Sequence, residues 1–211
     1  MDAAPPPPLL ELLLAALALA PALWLRPWRL LGHAGLQTPL LATLALLPLL
    51  WALPLWRSLP LQLHWSGACL VTLCLGWPLA VLTLTAVGLL TWLITPLTFT
   101  PALALLVWQG LVPATLALGI GALLRRFAPH HLFVYVLGRA FLGTVLALFA
   151  SSLLAYWSGH APLADAAEPV WVAQWLMAWG DAVVTGMLAA IFVAFQPQWL
   201  ATWSDSLYLR N

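Results

Sequence analysis

The chain has 211 residues, of which 64% are hydrophobic and only 6% are charged. Soluble domains carry about 25% charged residues, so this composition excludes an ordinary water-soluble domain and indicates a membrane protein. The formal net charge of +1 provides no electrostatic attraction for nucleic acid.

Long apolar segments follow one another along the whole chain, and a membrane-spanning helix needs about 20 apolar residues. The first residues lack the positive region of a signal peptide, so we expect the first segment to remain in the mature protein. We predict an all-α fold, a polytopic helix bundle formed by one transmembrane domain over residues 1–211. Its seven predicted segments are residues 9–24, 36–56, 68–76, 78–97, 101–124, 132–157 and 170–195.

The division at residue 76 has a physical reason. A single helix over residues 68–97 would be about 45 Å long, which exceeds the hydrocarbon core of about 30 Å. The sequence Gly76-Trp77-Pro78 lies inside this stretch, and proline is tolerated in the first turn of a helix but not in its interior. We therefore predict a short, discontinuous third helix, a break, and a second helix from Pro78.

The distribution of arginine predicts the orientation, because loops on the cytoplasmic side collect positive charge. The loops at residues 26–35 and 125–131 contain two arginines each, and Arg210 lies near the carboxyl terminus. In the loop at residues 158–169 and at the amino terminus, every charged residue is acidic. This pattern predicts an external amino terminus and an internal carboxyl terminus. Arg125 and Arg126 lie on the inner side only if residues 68–97 cross the membrane an even number of times, which requires the break near residue 76.

Polar groups at membrane depth are energetically costly, so each of them suggests a role. Asp181 lies near the middle of the last segment, where it predicts either a cation or proton site or a hydrogen bond that locks two helices. His64 precedes the short third segment, and imidazole is the commonest metal ligand. Glu11 is explained by its position in the first turn of a helix. The predicted topology brings these three residues and Cys69 to the outer half or the midplane, as an outward-open site requires.

Two other groups of side chains receive a simpler interpretation. Cys69 and Cys74 project about 140° apart on a helix, so no disulfide is expected between them. Trp171, Trp175 and Trp179 lie along one helix face, where a lipid-facing stripe is favoured over a substrate cage.

Sequence motifs of common enzymes are absent, including G-x-S-x-G, H-E-x-x-H and the Walker A motif. We therefore expect no enzymatic activity and no permanently bound cofactor. If transport is driven by ATP, the ATPase must be another subunit.

Residues 63–82, with the sequence LHWSGACLVTLCLGWPLAVL, resemble a segment of the CbiM/NikM family. The shared features are His-x-x-Gly, a short helix, a turn rich in Gly, Pro and Trp, and the next helix. The last segment, with Asp181 before small residues, is similar to a divergent bacterial branch of predicted permeases in this family. The resemblance implies a seven-helix bundle with an external amino terminus.

In the CbiM/NikM family, the metal is held by the amino terminus, a histidine at the second position and a histidine in the loop before the short helix. His64 matches the last of these ligands. The second position is Asp2 in this chain, so the square-planar nitrogen site typical of nickel is incomplete.

The resemblance implies a substrate-capturing permease subunit of an energy-coupling factor importer in the bacterial inner membrane. Its substrate would be a transition-metal ion such as cobalt or nickel, held at His64, Asp181 and Cys69. Its partners would be membrane lipids, a coupling membrane subunit and separate ATPase subunits. Two alternatives remain: an accessory or assembly protein without transport activity, and a proton-coupled carrier that uses Asp181.

Overall fold

The computed structural model describes residues 8–32, 34–56, 65–129, 131–159 and 167–204. Seven α-helices are present in these ranges, and no strand is. They are α1 (Leu9–Trp24), α2 (Ala34–Trp56), α3 (Ala68–Leu75), α4 (Trp77–Ile94), α5 (Phe99–Phe127), α6 (Val134–Trp157) and α7 (Ala167–Phe195). The predicted all-α class, with about seven segments and a short third one, is confirmed.

Five of the described helices, α2 and α4 to α7, are long and apolar enough to cross a membrane. Helix α1 is apolar but has only 16 residues, and α3 has 8. The chain is therefore a multi-pass membrane protein. Which side of the membrane each end faces stays a prediction from the arginine pattern.

The short helix α3 lies at the centre of the bundle. Seven of its eight residues are buried, and it packs against α2, α4, α5 and α7. It ends because Gly76 adopts a positive φ of 74°, a conformation that residues with a Cβ rarely tolerate. Helix α4 then begins at Trp77 with Pro78 in its first turn, where the missing N–H is not needed.

An aromatic ladder joins α6 to α7 along the tryptophan stripe, whose exposure to lipid stays a prediction. Its edge-to-face ring pairs are Trp171 with Tyr156 at 4.7 Å, Trp175 with Phe149 at 4.9 Å, and Trp179 with Phe141 at 5.5 Å. The three tryptophans therefore pack against a neighbouring helix, although Trp175 remains 40% exposed. Their spacing in the sequence correctly puts them on one face but does not reveal what covers it.

The segment that follows α7 folds back across one end of the bundle. Gln198 lies against Gly35 at the start of α2, and the Thr202 carbonyl accepts a hydrogen bond from Arg125 at the end of α5. The loop before α2 and the last turn of α5 are thus at the same end, which we call the arginine end. The arginines that define it are Arg26, Arg29, Arg125 and Arg126.

Candidate metal-ion site

The turn that precedes α3 is held by the carboxylate of Asp181 on α7. The backbone N–H groups of Ser66 and Gly67 both donate to Asp181 Oδ2, at 2.9 and 3.0 Å. The Thr185 hydroxyl donates to Asp181 Oδ1 at 3.1 Å, and Asp181 is only 2% exposed. The carboxylate lies at the amino-terminal end of α3, where the helix dipole favours negative charge. Asp181 therefore makes the kind of hydrogen bond that was one of its two predicted roles, and it joins α7 to the turn before α3.

Gly67 explains why this turn needs a glycine. Its φ is 64°, in the left-handed region that L-residues with a Cβ occupy at an energetic cost. A Cβ at this position would also lie 3.0 Å from Leu47 Cδ1. The Gly67 carbonyl accepts the N–H of Val71, so this residue both shapes the turn and begins α3.

Ser66 connects the same turn to two further helices. Its hydroxyl donates to the Gln109 carbonyl of α5 at 2.5 Å and accepts the N–H of Ala68 at 3.2 Å. Its own carbonyl accepts the indole N–H of Trp51 on α2 at 3.1 Å. Helices α2, α5 and α7 thus all hold residues 65–67, which gives the turn a single, well-defined conformation.

A π-helical turn in α5, Leu106–Leu111, lies beside these contacts. Two successive carbonyls within it accept side-chain hydrogen bonds: Gln109 from Ser66, and Trp108 from the Ser151 hydroxyl at 2.7 Å. Because π turns disturb the regular helical hydrogen bonds, they release carbonyls and are frequent at functional sites. This irregularity has no local signal in the sequence.

A small cavity of about 20 Å³ lies between this turn and helices α5, α6 and α7, which is room for about one water-sized group. Its polar lining comes from Ser66, Gln109, Ser152, Gln174 and Asp181. Most of these groups present oxygen atoms. Oxygen ligands suit hard cations, and a nearby imidazole would extend the choice to borderline metals such as cobalt.

Glu11 is connected to this cavity by Trp108, which is one of the residues that line the cavity. The indole N–H of Trp108 donates to Glu11 Oε1 at 3.2 Å, and Glu11 is only 1% exposed. Its position in the first turn of α1 is as expected, but the helix-terminus explanation does not account for its burial. The predicted topology places Glu11 near Asp181, but the sequence does not predict that Glu11 is buried or that Trp108 binds it.

The predicted site residues have different outcomes. Asp181 lines the cavity, whereas His64 lies outside the described residues. Cys69 is buried beside Val145 and Ala182 of α6 and α7 and is hydrogen-bonded to the Thr144 side chain of α6, but it does not line the cavity. Cys69 and Cys74 are both free thiols, as their spacing suggests. Among the residues that the structure describes, no three His, Cys, Asp or Glu side chains form a metal-binding group.

Comparison with known proteins gives one match. A family model described as CbiM, the cobalt uptake substrate-specific transmembrane region, matches residues 7–199. No curated protein matches the chain, and no solved structure does. Because the match covers nearly all of the described helices, the chain belongs to the CbiM family, whose members are membrane components of cobalt uptake systems.

Proposed function

We propose that this chain captures a transition-metal ion, cobalt in the first instance, for an energy-coupling factor importer. The family match supports a membrane component of metal uptake. The observation that carries the proposal further is the double hydrogen bond from Ser66 and Gly67 to Asp181. It puts a buried negative charge directly beside the turn that follows His64 in the chain.

In this proposal, His64 supplies an imidazole ligand and Asp181 supplies the charge that stabilises the cation. A buried carboxylate is unfavourable in an apolar medium unless positive charge or hydrogen bonds compensate it. Three hydrogen bonds already stabilise the Asp181 carboxylate. Its remaining negative charge would attract a divalent ion beside the cavity, where oxygens from Ser152 and Gln174 would replace part of the ion's hydration shell. Cys69 stays a prediction as a third ligand, since its thiol is hydrogen-bonded to the Thr144 side chain and does not line the cavity.

Energy for uptake would come from separate subunits. The chain has no Walker A motif, so a pair of ATPases acting through a coupling membrane subunit would drive release of the ion. The bacterial inner membrane is the location that fits such an assembly. Nickel is a second possible substrate, although Asp2 in place of histidine removes one nitrogen ligand of the square-planar arrangement that nickel favours.

The test is the binding and uptake of Co²⁺ and Ni²⁺ by the full chain, with wild type compared with His64→Ala. We expect the variant to lose about 100-fold in affinity, because even a group that only supports a ligand contributes about 10–100-fold. His131→Ala is the matched control, since His131 is exposed, stacks on Phe133 and accepts the Phe133 N–H at Nδ1, far along the chain from the residues of the candidate site. If His64→Ala binds and transports every metal as well as wild type, the proposed site is wrong.

One alternative function has an observation in its favour. Asp181 is buried and lines a polar cavity, which also suits the proton site of a proton-coupled carrier. That function requires uptake to depend on pH and on the Asp181 carboxyl group. Metal uptake that is unchanged by pH and by Asp181→Asn would eliminate it.

A further inference from the structure

The carboxyl-terminal segment of the described chain reaches the break between α3 and α4. We propose that residues 196–204, which we call the strap, form a gate that closes the arginine end of the bundle beneath α3. On the proposed function above, the strap must leave α3 before the captured ion can be released at that end.

The break explains why α3 needs the strap. In a continuous helix, the carbonyls of Leu73 and Cys74 would accept N–H groups from residues 77 and 78. Pro78 has no N–H, and the chain turns away at Gly76. At membrane depth, carbonyls without donors are strongly unfavourable, so other donors must reach them.

The strap supplies these donors. The Ala201 N–H donates to the Cys74 carbonyl at 2.9 Å. The Leu73 carbonyl accepts both the N–H and the hydroxyl of Thr202, at 3.3 and 2.9 Å. The strap thus completes the carboxyl-terminal end of α3 as a following turn of helix would.

Four further helices hold the strap in place: α2 through Gly35, α7 through Phe192, whose ring packs on Trp199 at 5.3 Å, and α5 and α6 through the contacts of Thr202 and Trp203. The Thr202 hydroxyl pairs with the Tyr135 hydroxyl of α6 at 2.8 Å, and the Trp203 ring packs edge-to-face on Tyr135 at 4.9 Å. Arg125 of α5 donates to the Thr202 carbonyl at 3.3 Å, and Leu200 is 2% exposed. The hydrogen bonds among these contacts centre on Thr202, so a change at this one residue weakens the attachment of the strap to α3, α5 and α6 together.

The position of α3 connects the strap to the candidate site. Helix α3 has eight residues and is about 12 Å long. Its amino-terminal end adjoins the turn that Asp181 holds, and its carboxyl-terminal end is held by the strap. The strap therefore lies between the site and the arginine end. When it leaves, the Leu73 and Cys74 carbonyls at the negative end of the helix dipole become available to a cation.

The experiment measures how fast a charged, water-soluble thiol reagent labels Cys74 in the full chain in lipid nanodiscs. Cys74 is 4% exposed, its carbonyl is bonded to Ala201 of the strap, and it lines the same cavity as Trp199; peptide mass distinguishes it from Cys69. Thr202→Val removes both hydroxyl hydrogen bonds while preserving the shape of the side chain. We expect labelling of Cys74 to be at least fivefold faster. Loss of one net hydrogen bond changes the equilibrium between the closed and the open strap by about that factor.

Thr85→Val is the matched control, because its hydroxyl donates only within its own helix, to the Val81 carbonyl at 2.8 Å. We expect it to label at the wild-type rate. Tyr135→Phe removes one partner of Thr202 and tests the gate without changing the strap, with a smaller increase expected. If Thr202→Val and Tyr135→Phe both label Cys74 at the wild-type rate, the strap is not a gate.

A second measurement separates the gate from the metal site. In the assembled importer, Thr202→Val should alter the rate of Co²⁺ uptake and leave Co²⁺ affinity within about twofold of wild type, since the strap lies at the opposite end of α3. An unchanged uptake rate would overturn the gate. The labelling assay needs no metal, so its result stands even if His64 proves not to bind an ion.

Discussion

Replacing Asp181 with alanine should strongly destabilise the fold. The substitution removes the acceptor of the Ser66 and Gly67 N–H groups, which are 2.9 and 3.0 Å from Asp181 Oδ2. A buried donor that loses its acceptor costs about 1–3 kcal/mol, so the two together predict a loss of about 2–6 kcal/mol in the free energy of unfolding. Asp181→Asn keeps one oxygen as acceptor for the Ser66 and Gly67 N–H groups, but it loses the charge and the oxygen that accepts the Thr185 hydroxyl, so a smaller loss of about 1–2 kcal/mol is expected.

The assay is equilibrium unfolding of the purified chain from mixed micelles, followed by tryptophan fluorescence, which the 14 tryptophans make strong. Thr185→Val is the matched control on the same helix. It removes one hydroxyl donor to Asp181, and a side-chain hydrogen bond between elements of a membrane protein contributes about 0.6 kcal/mol on average. From most to least stable, the expected order is wild type, Thr185→Val, Asp181→Asn and Asp181→Ala.

One result would refute this reasoning directly. If Asp181→Ala unfolds within about 0.5 kcal/mol of wild type, the two N–H groups must find other acceptors, and Asp181 does not hold the turn. Asp181 would then be a residue whose only role concerns an ion or a proton.

Two further substitutions test neighbouring features. Gly67→Ala should lower the free energy of unfolding by about 1–2 kcal/mol, because residue 67 has a positive φ. The control is Gly180→Ala in the same assay. It should be neutral or slightly stabilising, because no atom lies near the Cβ position of residue 180. Trp108→Phe should cost about 1–3 kcal/mol, because it removes a donor to buried Glu11. The control Trp92→Phe breaks a more exposed hydrogen bond and should cost less than half as much; equal losses would contradict the role of burial.

The features that the sequence could predict are those with local causes. The break before α4 follows from Gly76 and Pro78, since each restricts the backbone whatever surrounds it. The depth of Asp181 follows from the apolar residues on both sides of it. The position of His64 just before a short helix follows from the same local pattern, and its role stays a prediction.

The features that the sequence could not predict depend on partners far along the chain. Asp181 is bonded to backbone N–H groups more than 110 residues away, and a backbone group leaves no trace in residue type. The strap has no signal in the sequence for the same reason: the Ala201 and Thr202 N–H groups bond to carbonyls of α3. Burial of Glu11 depends on Trp108, which only tertiary packing brings to it.

The aromatic ladder between α6 and α7 opposes one kind of motion in the bundle, the sliding of one of these helices along the other. Sliding α7 along α6 by one helical turn, about 5.4 Å, would separate each of the three tryptophan rings from its partner on α6. Asp181 lies two residues after the last of these rings, so its height in the membrane is fixed by the helix pair. Release of an ion at the arginine end can therefore begin with the strap, while Asp181 and the turn that it holds keep their height relative to α6.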